Sequence, residues 1–463
     1  MKKVMYLLAG LLLFQVQSNV LAVGTALTDG MGNTADFADY RTGGNGNLHL
    51  VWHDVNVDNG AIMYMLFNAA GDILIDRTQV NIGGTGNANT WPSVNIDAAG
   101  LVYVVWHDTT DGEVYFMRLN PSLAPLDGTS TTAATINETG DVRLSAVGGS
   151  NALHPRIRRD SNTDFHVVWE SSNGGAVQYV KVDADGVILN GPLSLGGAST
   201  GADLPDVDVD TSNNVHIVFG NDVGTTANEI YYAMIDGAAG TFLIAPTLLS
   251  VDDGLRAGNV TVNVDRFDDT LYLVFKQALA AGVNGVEEVF LARLNPALDD
   301  QDGSAGDPAV LKLFEKKITT GPGVFQWSVF SRITSDKRIH ATYIDFDQGA
   351  CPGAGNYTIN DTHVTFAGDV ILREVLTTTG FATSCFPQAR SAPAGNRIVW
   401  TDSMTLPSEI YASVISRADS GSSGFISCSL GNPDSDGWRA GELWLLLGLL
   451  SLLFARRQLR RAC

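Results

Sequence analysis

One eight-residue pattern returns along the whole chain: NLHLVWHD (47–54), LVYVVWHD (101–108), DFHVVWES (164–171), NVHIVFGN (214–221), TLYLVFKQ (270–277), RIHATYID (338–345) and NRIVWTDS (396–403). Each copy alternates β-branched and aromatic residues with polar ones, the period-two signature of a half-buried strand. The anchoring aromatics are Trp52, Trp106, Trp169, Phe219, Phe275, Tyr343 and Trp400, spaced 50 to 68 residues apart. A repeat of this length constrains the fold more than any single motif does, because each unit must bury its faces against its neighbours.

The neighbours of each anchor repeat as well. A short strand ending in an acidic turn precedes it: SVNID to Asp97, RIRRD to Asp160, DVDVD to Asp210 and VTVNVD to Asp265. A further strand follows, as in IMYMLFN (62–68), VYFMRLN (114–120), VQYVKVD (177–183), IYYAMID (230–236), VFLARLN (289–295), THVTFAG (362–368) and IYASVIS (410–416), and a weaker fourth trails most of them. Four antiparallel strands repeated about seven times predict an all-β chain, a β-propeller of about seven four-stranded blades. A β-solenoid, the competing fold, has shorter repeats without the four-strand grouping. Val23–Thr28 is placed to supply the outer strand of the last blade.

The two ends read differently. Met1-Lys2-Lys3, an apolar run from Val4 to Val16 and a small-residue site at Ala22 make residues 1–22 a signal peptide and the chain an exported protein. The expected order is then a propeller over 23–418, a Ser/Gly-rich linker over 419–437 and a short transmembrane helix within 438–463, closed by Arg456, Arg457, Arg460 and Arg461. Cys428-Ser429, the polar spacer, the short apolar helix and the arginine cluster resemble the MYXO-CTERM and JDVT-CTERM sorting tails of Gram-negative surface proteins. That resemblance implies processing near Cys428 and delivery to the cell envelope, surface or medium; a plain single-span anchor is the alternative.

Between these ends the chain is acidic, with 22 Lys and Arg against 47 Asp and Glu over residues 23–428, a net charge of −25. This argues against nucleic acid or an anionic membrane surface as a partner of the body. Calcium is the one cofactor the pattern raises, through the oxygen spacing of Asp54, Asn56 and Asp58. Cys351 and Cys385 remain as one disulfide for an oxidising compartment, closing a 35-residue stretch around the longest loop of the sixth repeat.

The strings of the type HVVW followed by an acidic turn and an EIYY-like strand resemble the BNR/sialidase-like propellers, over roughly residues 30–417. The resemblance implies architecture; activity follows from it only weakly. The sialidase SxDxGxTW turn and the Phe/Tyr-Arg-Ile-Pro motif are not found in the sequence, and HPRIRRD (154–160) is a distant echo.

In a propeller the loops after the second strands and the connections between blades open on one face. That places His53, Asp54, Trp91, His107, Asp108, His154, Glu170, Asp345 and Asp402 as candidates for a ligand face. An aspartate after the anchor also caps a turn simply because Asp bonds its own backbone there. His49, His166, His216 and His340 occupy one repeated position and are expected to be packing residues. Arg156, Arg256, Arg332 and Arg390 lie in or beside first strands, where sialidases keep an arginine triad. The expected function is a non-catalytic binding module for a glycan, matrix or protein ligand. The alternatives are a sialidase-like glycosidase or polysaccharide lyase, or a structural surface component.

Overall fold

The computed structural model describes Thr25–Ala26, most of residues 35–375, and the backbone of Gln388–Ala392, Gly395–Asp402 and Glu409–Ile415. Among the described residues every sheet is four-stranded and antiparallel, and in all but the last the strands are hydrogen-bonded in chain order. The first strands of the successive repeats are Ala35–Thr42, Asn89–Ile96, Ala152–Arg159, Asp203–Val209, Ala257–Asp265, Phe325–Ile333 and Gln388–Ala392. They adjoin one another in chain order, and the last adjoins the first. This is a β-propeller with its first strands around the axis.

Six blades are built wholly from consecutive strands, where the repeat predicts about seven with Val23–Thr28 closing the last. The seventh repeat supplies three strands, to which Thr25–Ala26 is paired as the outer strand through Thr25 opposite Ala412 and Ala26 opposite Tyr411. Among the described residues no strand follows Glu409–Ile415, and Thr25–Ala26 takes the outer place in that sheet.

The anchors work as inter-blade wedges. Trp106 packs with Val51, Ile62 and Tyr64 of the blade before it, Trp169 with Tyr103 and Phe116, and Phe219 with Val168 and Tyr179. Phe275 and Tyr343 repeat the arrangement against the fourth and fifth blades. Both faces of a sheet are thereby taken out of water, at about 25 cal/mol per Å² of apolar area.

The acidic turns hold the first and second strands in register. Asp97, Asp160 and Asp210 each accept backbone N–H bonds from the residues two and four places on, at 2.7–2.9 Å. The repeated histidines pack as the pattern predicts. Nδ1 of His49, His166 and His216 lies 2.8–2.9 Å from the hydroxyls of Tyr64, Tyr179 and Tyr232. In the sixth blade Asp361 takes the tyrosine's place and His363 joins it.

The residues expected to form a signal peptide (1–22), a linker (419–437) and a C-terminal tail (438–463), with Cys428, lie outside the described residues, as do Asn56 and Asp58 of the calcium pattern and both members of the expected Cys351–Cys385 pair. Among the described residues no helix is long and apolar enough to cross a membrane.

Candidate functional site

The site grows from a defect repeated in the first strands. In blades one to five the register against the second strand slips, between Asp36 and Asp39, Thr90 and Ser93, Leu153 and Arg156, Asp203 and Asp206, and Gly258 and Thr261. Inside each slip one non-glycine residue takes a positive φ: Phe37 (53°), Trp91 (54°), His154 (51°), Leu204 (44°) and Asn259 (47°). A left-handed backbone costs an L-residue about 1–2 kcal/mol. A β-bulge re-aims the side chain it carries. Proline follows at Pro92, Pro155 and Pro205, which the strand tolerates because its axial edge has no ladder to donate to.

The first three bulges display large rings, and these meet. Phe37 stacks on Trp91 with centroids 4.0 Å apart and planes 25° apart, and Trp91 meets His154 edge-on at 4.3 Å. His53 and His107, at the ends of the second strands, extend the group: Phe37 to His53 is 6.3 Å and His107 to His154 is 6.3 Å. His154 Nδ1 lies 2.9 Å from Glu170 Oε2. Five of the nine sequence-predicted face residues, His53, Trp91, His107, His154 and Glu170, are therefore neighbours on three successive blades. Trp91 and His154 sit on the bulges themselves, not in the connections between blades.

The electrostatics are unusual for histidine. His53 is 8% exposed and His107 1% exposed. Neither ring nitrogen of His53, nor Nδ1 of His107, has a hydrogen-bond partner among the described residues. Burial lowers His53 to about 4. It lowers His107 to about 3, helped by repulsion from His154 and His53. Both rings are neutral near pH 7 and retain hydrogen-bonding capacity that the fold does not use.

The aspartates beside them serve the fold. Asp108 Oδ1 accepts from the Thr110 N–H at 2.7 Å, and burial raises its carboxyl. Asp54 is buried, with Arg77 Nη1 at 3.6 Å, a cation where the calcium pattern would need room for another. Asp345 and Asp402 lie in second strands, and their side chains are outside the described residues.

The candidate arginines do not share one level: by register Arg332 and Arg390 are equivalent, and Arg156 is not. Arg156 is two places after its bulge and buried, with its guanidinium 5.6 Å from the Phe330 ring centroid across the axis. Burial depresses it while Asp206 and Asp39 oppose that shift. Arg332 is two further places along its strand, opposite His340 in the second strand. Arg256 is exposed just before Ala257, and the Arg390 side chain is outside the described residues. The described arginines thus do not meet at the histidine-bearing mouth.

Among the described residues, one cluster has metal-like composition: His340, Asp361 and His363, all buried, with ligand atoms within 4.8 Å. Asp361 Oδ2 already lies 3.1 Å from His340 Nδ1 and 2.8 Å from His363 Nε2. The two imidazoles hold its carboxyl down at about 2 against the opposing effect of burial. Both imidazoles share Asp361 Oδ2, and the three groups form an internal triad, the sixth blade's version of the His–Tyr pair.

Sequence reasoning missed Phe37 and the pairing of His154 with Glu170. The proline after three of the bulges was the available signal.

No family model and no curated protein matches the chain. It is similar in structure to solved polysaccharide lyases. One is an ulvan lyase bound to –[GlcA(1-4)Rha3S]–, 11% identical, with a TM-score of 0.54 over 85% of this chain and 94% of that one. Another is the polysaccharide lyase Uly1, 11% identical, with a TM-score of 0.50 over 87% of this chain and 93% of that one. At such identity the likeness is one of fold, and it supports the propeller expected from the BNR/sialidase-like resemblance.

Proposed function

We propose that the protein is an exported propeller that takes an acidic polysaccharide at its histidine-bearing mouth and cleaves it by elimination. The observation that carries this reading is the meeting of His53, His107 and His154 from three blades around the Phe37–Trp91 stack, with two of the rings neutral and unpartnered. Stacked aromatic faces suit the apolar faces of sugar rings. The neutral buried His53 imidazole suits an anionic ligand, whose charge repays its protonation.

The chemistry favours elimination over hydrolysis. Glycoside hydrolysis needs two carboxyl groups flanking the scissile bond. Among the described residues this mouth offers Glu170, whereas Asp54 and Asp108 are buried beneath it. A neutral histidine is instead a proton acceptor. In the proposed step His107 takes the proton α to a uronate carboxylate, the adjacent C–O bond breaks, and the two ring carbons become double-bonded. The departing oxygen receives its proton from the His154–Glu170 pair. This reading departs from the binding module expected from the sequence alone.

The test is incubation of the full chain with a panel of uronate-containing polysaccharides, following the ultraviolet absorbance of the unsaturated product. The expected result is a rise with at least one polymer that His107→Ala abolishes. Saturable binding of these polymers without any unsaturated product would overturn the catalytic step and return the protein to a binding module.

A further inference from the structure

The opposite mouth of the axis, where the first strands run into their acidic turns, carries a cavity of about 720 Å³. Its lining includes six cationic side chains, Arg41, Arg158, Arg159, Arg266, Arg332 and Lys337, against three carboxylates, Asp160, Asp208 and Asp265. The chain as a whole has 50 acidic and 29 basic residues, so this concentration of cations runs against its composition.

The carboxylates present are already committed. Asp208 lies 3.8 Å from Arg158 and 3.7 Å from Arg266, and its Oδ2 accepts from the Val264 N–H. Asp160 caps its own turn and lies 3.5 Å from Lys181. Asp265 accepts from the Phe267 N–H in its own turn. Arg41 spends Nε on the Val94 carbonyl at 3.1 Å. Lys337 rests over the Phe267 ring at 4.1 Å. Among the described residues, Arg41, Arg159, Arg332 and Lys337 have no carboxylate within ion-pairing distance.

Four such cations around one concave, partly desolvated space repel one another and focus a positive potential into it. Guanidinium forks match the oxygen geometry of carboxylate, sulfate and phosphate groups. Asn95 and Asn263 add neutral donors to the same wall. We propose that this mouth is an oxyanion-binding pocket for a ligand bearing more than one negative charge, a sulfate or phosphate group free or carried on a sugar. It stands independently of the histidine-bearing mouth, from which it is separated by the length of the first strands.

The experiment is isothermal titration of the full chain at low ionic strength with three probes: inorganic phosphate, inorganic sulfate and a short sulfated oligosaccharide. The expected result is saturable binding at one site that weakens steeply with salt. Arg332→Gln and Lys337→Glu should each weaken it at least about tenfold, while His107→Gln leaves it unchanged. Binding of the inorganic ions identifies a free anion as sufficient; binding of the oligosaccharide alone identifies a sugar-borne one. Absence of saturable binding by all three probes would overturn the proposal. So would unchanged affinity in Lys337→Glu, whose side chain lies on the rim and whose folding is checked by thermal melting.

Discussion

His154 Nδ1 lies 2.9 Å from Glu170 Oε2, joining the bulge of the third blade's first strand to the end of its second strand. When the ring is protonated, Nδ1–H is held by the carboxylate and a second N–H at Nε2, facing away from Glu170, is left to give to the departing oxygen. The bulge turns the ring towards Trp91 and His107, and the carboxylate fixes its orientation there. A regular strand would have buried this side chain between blades.

Glu170→Gln should therefore impair function without impairing the fold. If the pair delivers the leaving-group proton, turnover on the responsive polysaccharide falls about 100-fold or more. The melting temperature should stay near that of the wild type. Steady-state rates beside thermal melts check this, and an unchanged rate would remove the pair from the chemistry.

The buried histidines predict how stability depends on pH. Burial lowers His49 and His53 from 6.5 to about 4, and His107 to about 3. Between those values the unfolded chain binds more protons than the folded one. Stability is then complete above about pH 6.5 and is lost as the pH falls below it, by up to about 1.4 kcal/mol per pH unit for each ring. Thermal melts from about pH 8 to about pH 4 should show this decline, and His107→Gln should make it shallower. A curve flat to about pH 4 would contradict the buried neutral state.

Tyr179→Phe removes a hydroxyl 2.8 Å from His166 Nδ1 in a fully buried pair. The orphaned ring nitrogen should cost about 1–3 kcal/mol, read as an earlier denaturant midpoint. Trp106→Ala, which empties the wedge between the first two blades, should cost about 3–5 kcal/mol. If the two substitutions cost the same, the wedge role assigned to the anchor would fail.

The blade pattern was legible because it is local. Alternation, the aromatic anchors and the Asx turns each follow from a few adjacent residues, so the strands and their order could be read directly. The ligand face was legible in part for the same reason. His53 and His107 sit at fixed places after their anchors. The bulge was not legible, because a register slip depends on the pairing of two strands and leaves only a proline as its trace. Phe37 has no such proline and was missed. The arginines could have been separated in the sequence: Arg156 stands 13 residues before its anchor Trp169 and Arg332 11 before Tyr343, the two-residue difference in level that the strand register shows. The basic cavity of the other mouth was hidden because its cations come from first strands and turns scattered between Arg41 and Lys337.

The most direct test of the histidine-bearing mouth is proton NMR of the His53 and His107 rings as a uronate oligosaccharide is added at about pH 5, between their buried values and that of a free histidine. The account predicts that both rings are neutral in the free protein and that both are perturbed as the acidic sugar binds, His53 moving towards the protonated form while His107 stays neutral as the proton acceptor. Rings that stay neutral and unperturbed while the sugar saturates the protein would place the ligand elsewhere and contradict the assignment of this mouth.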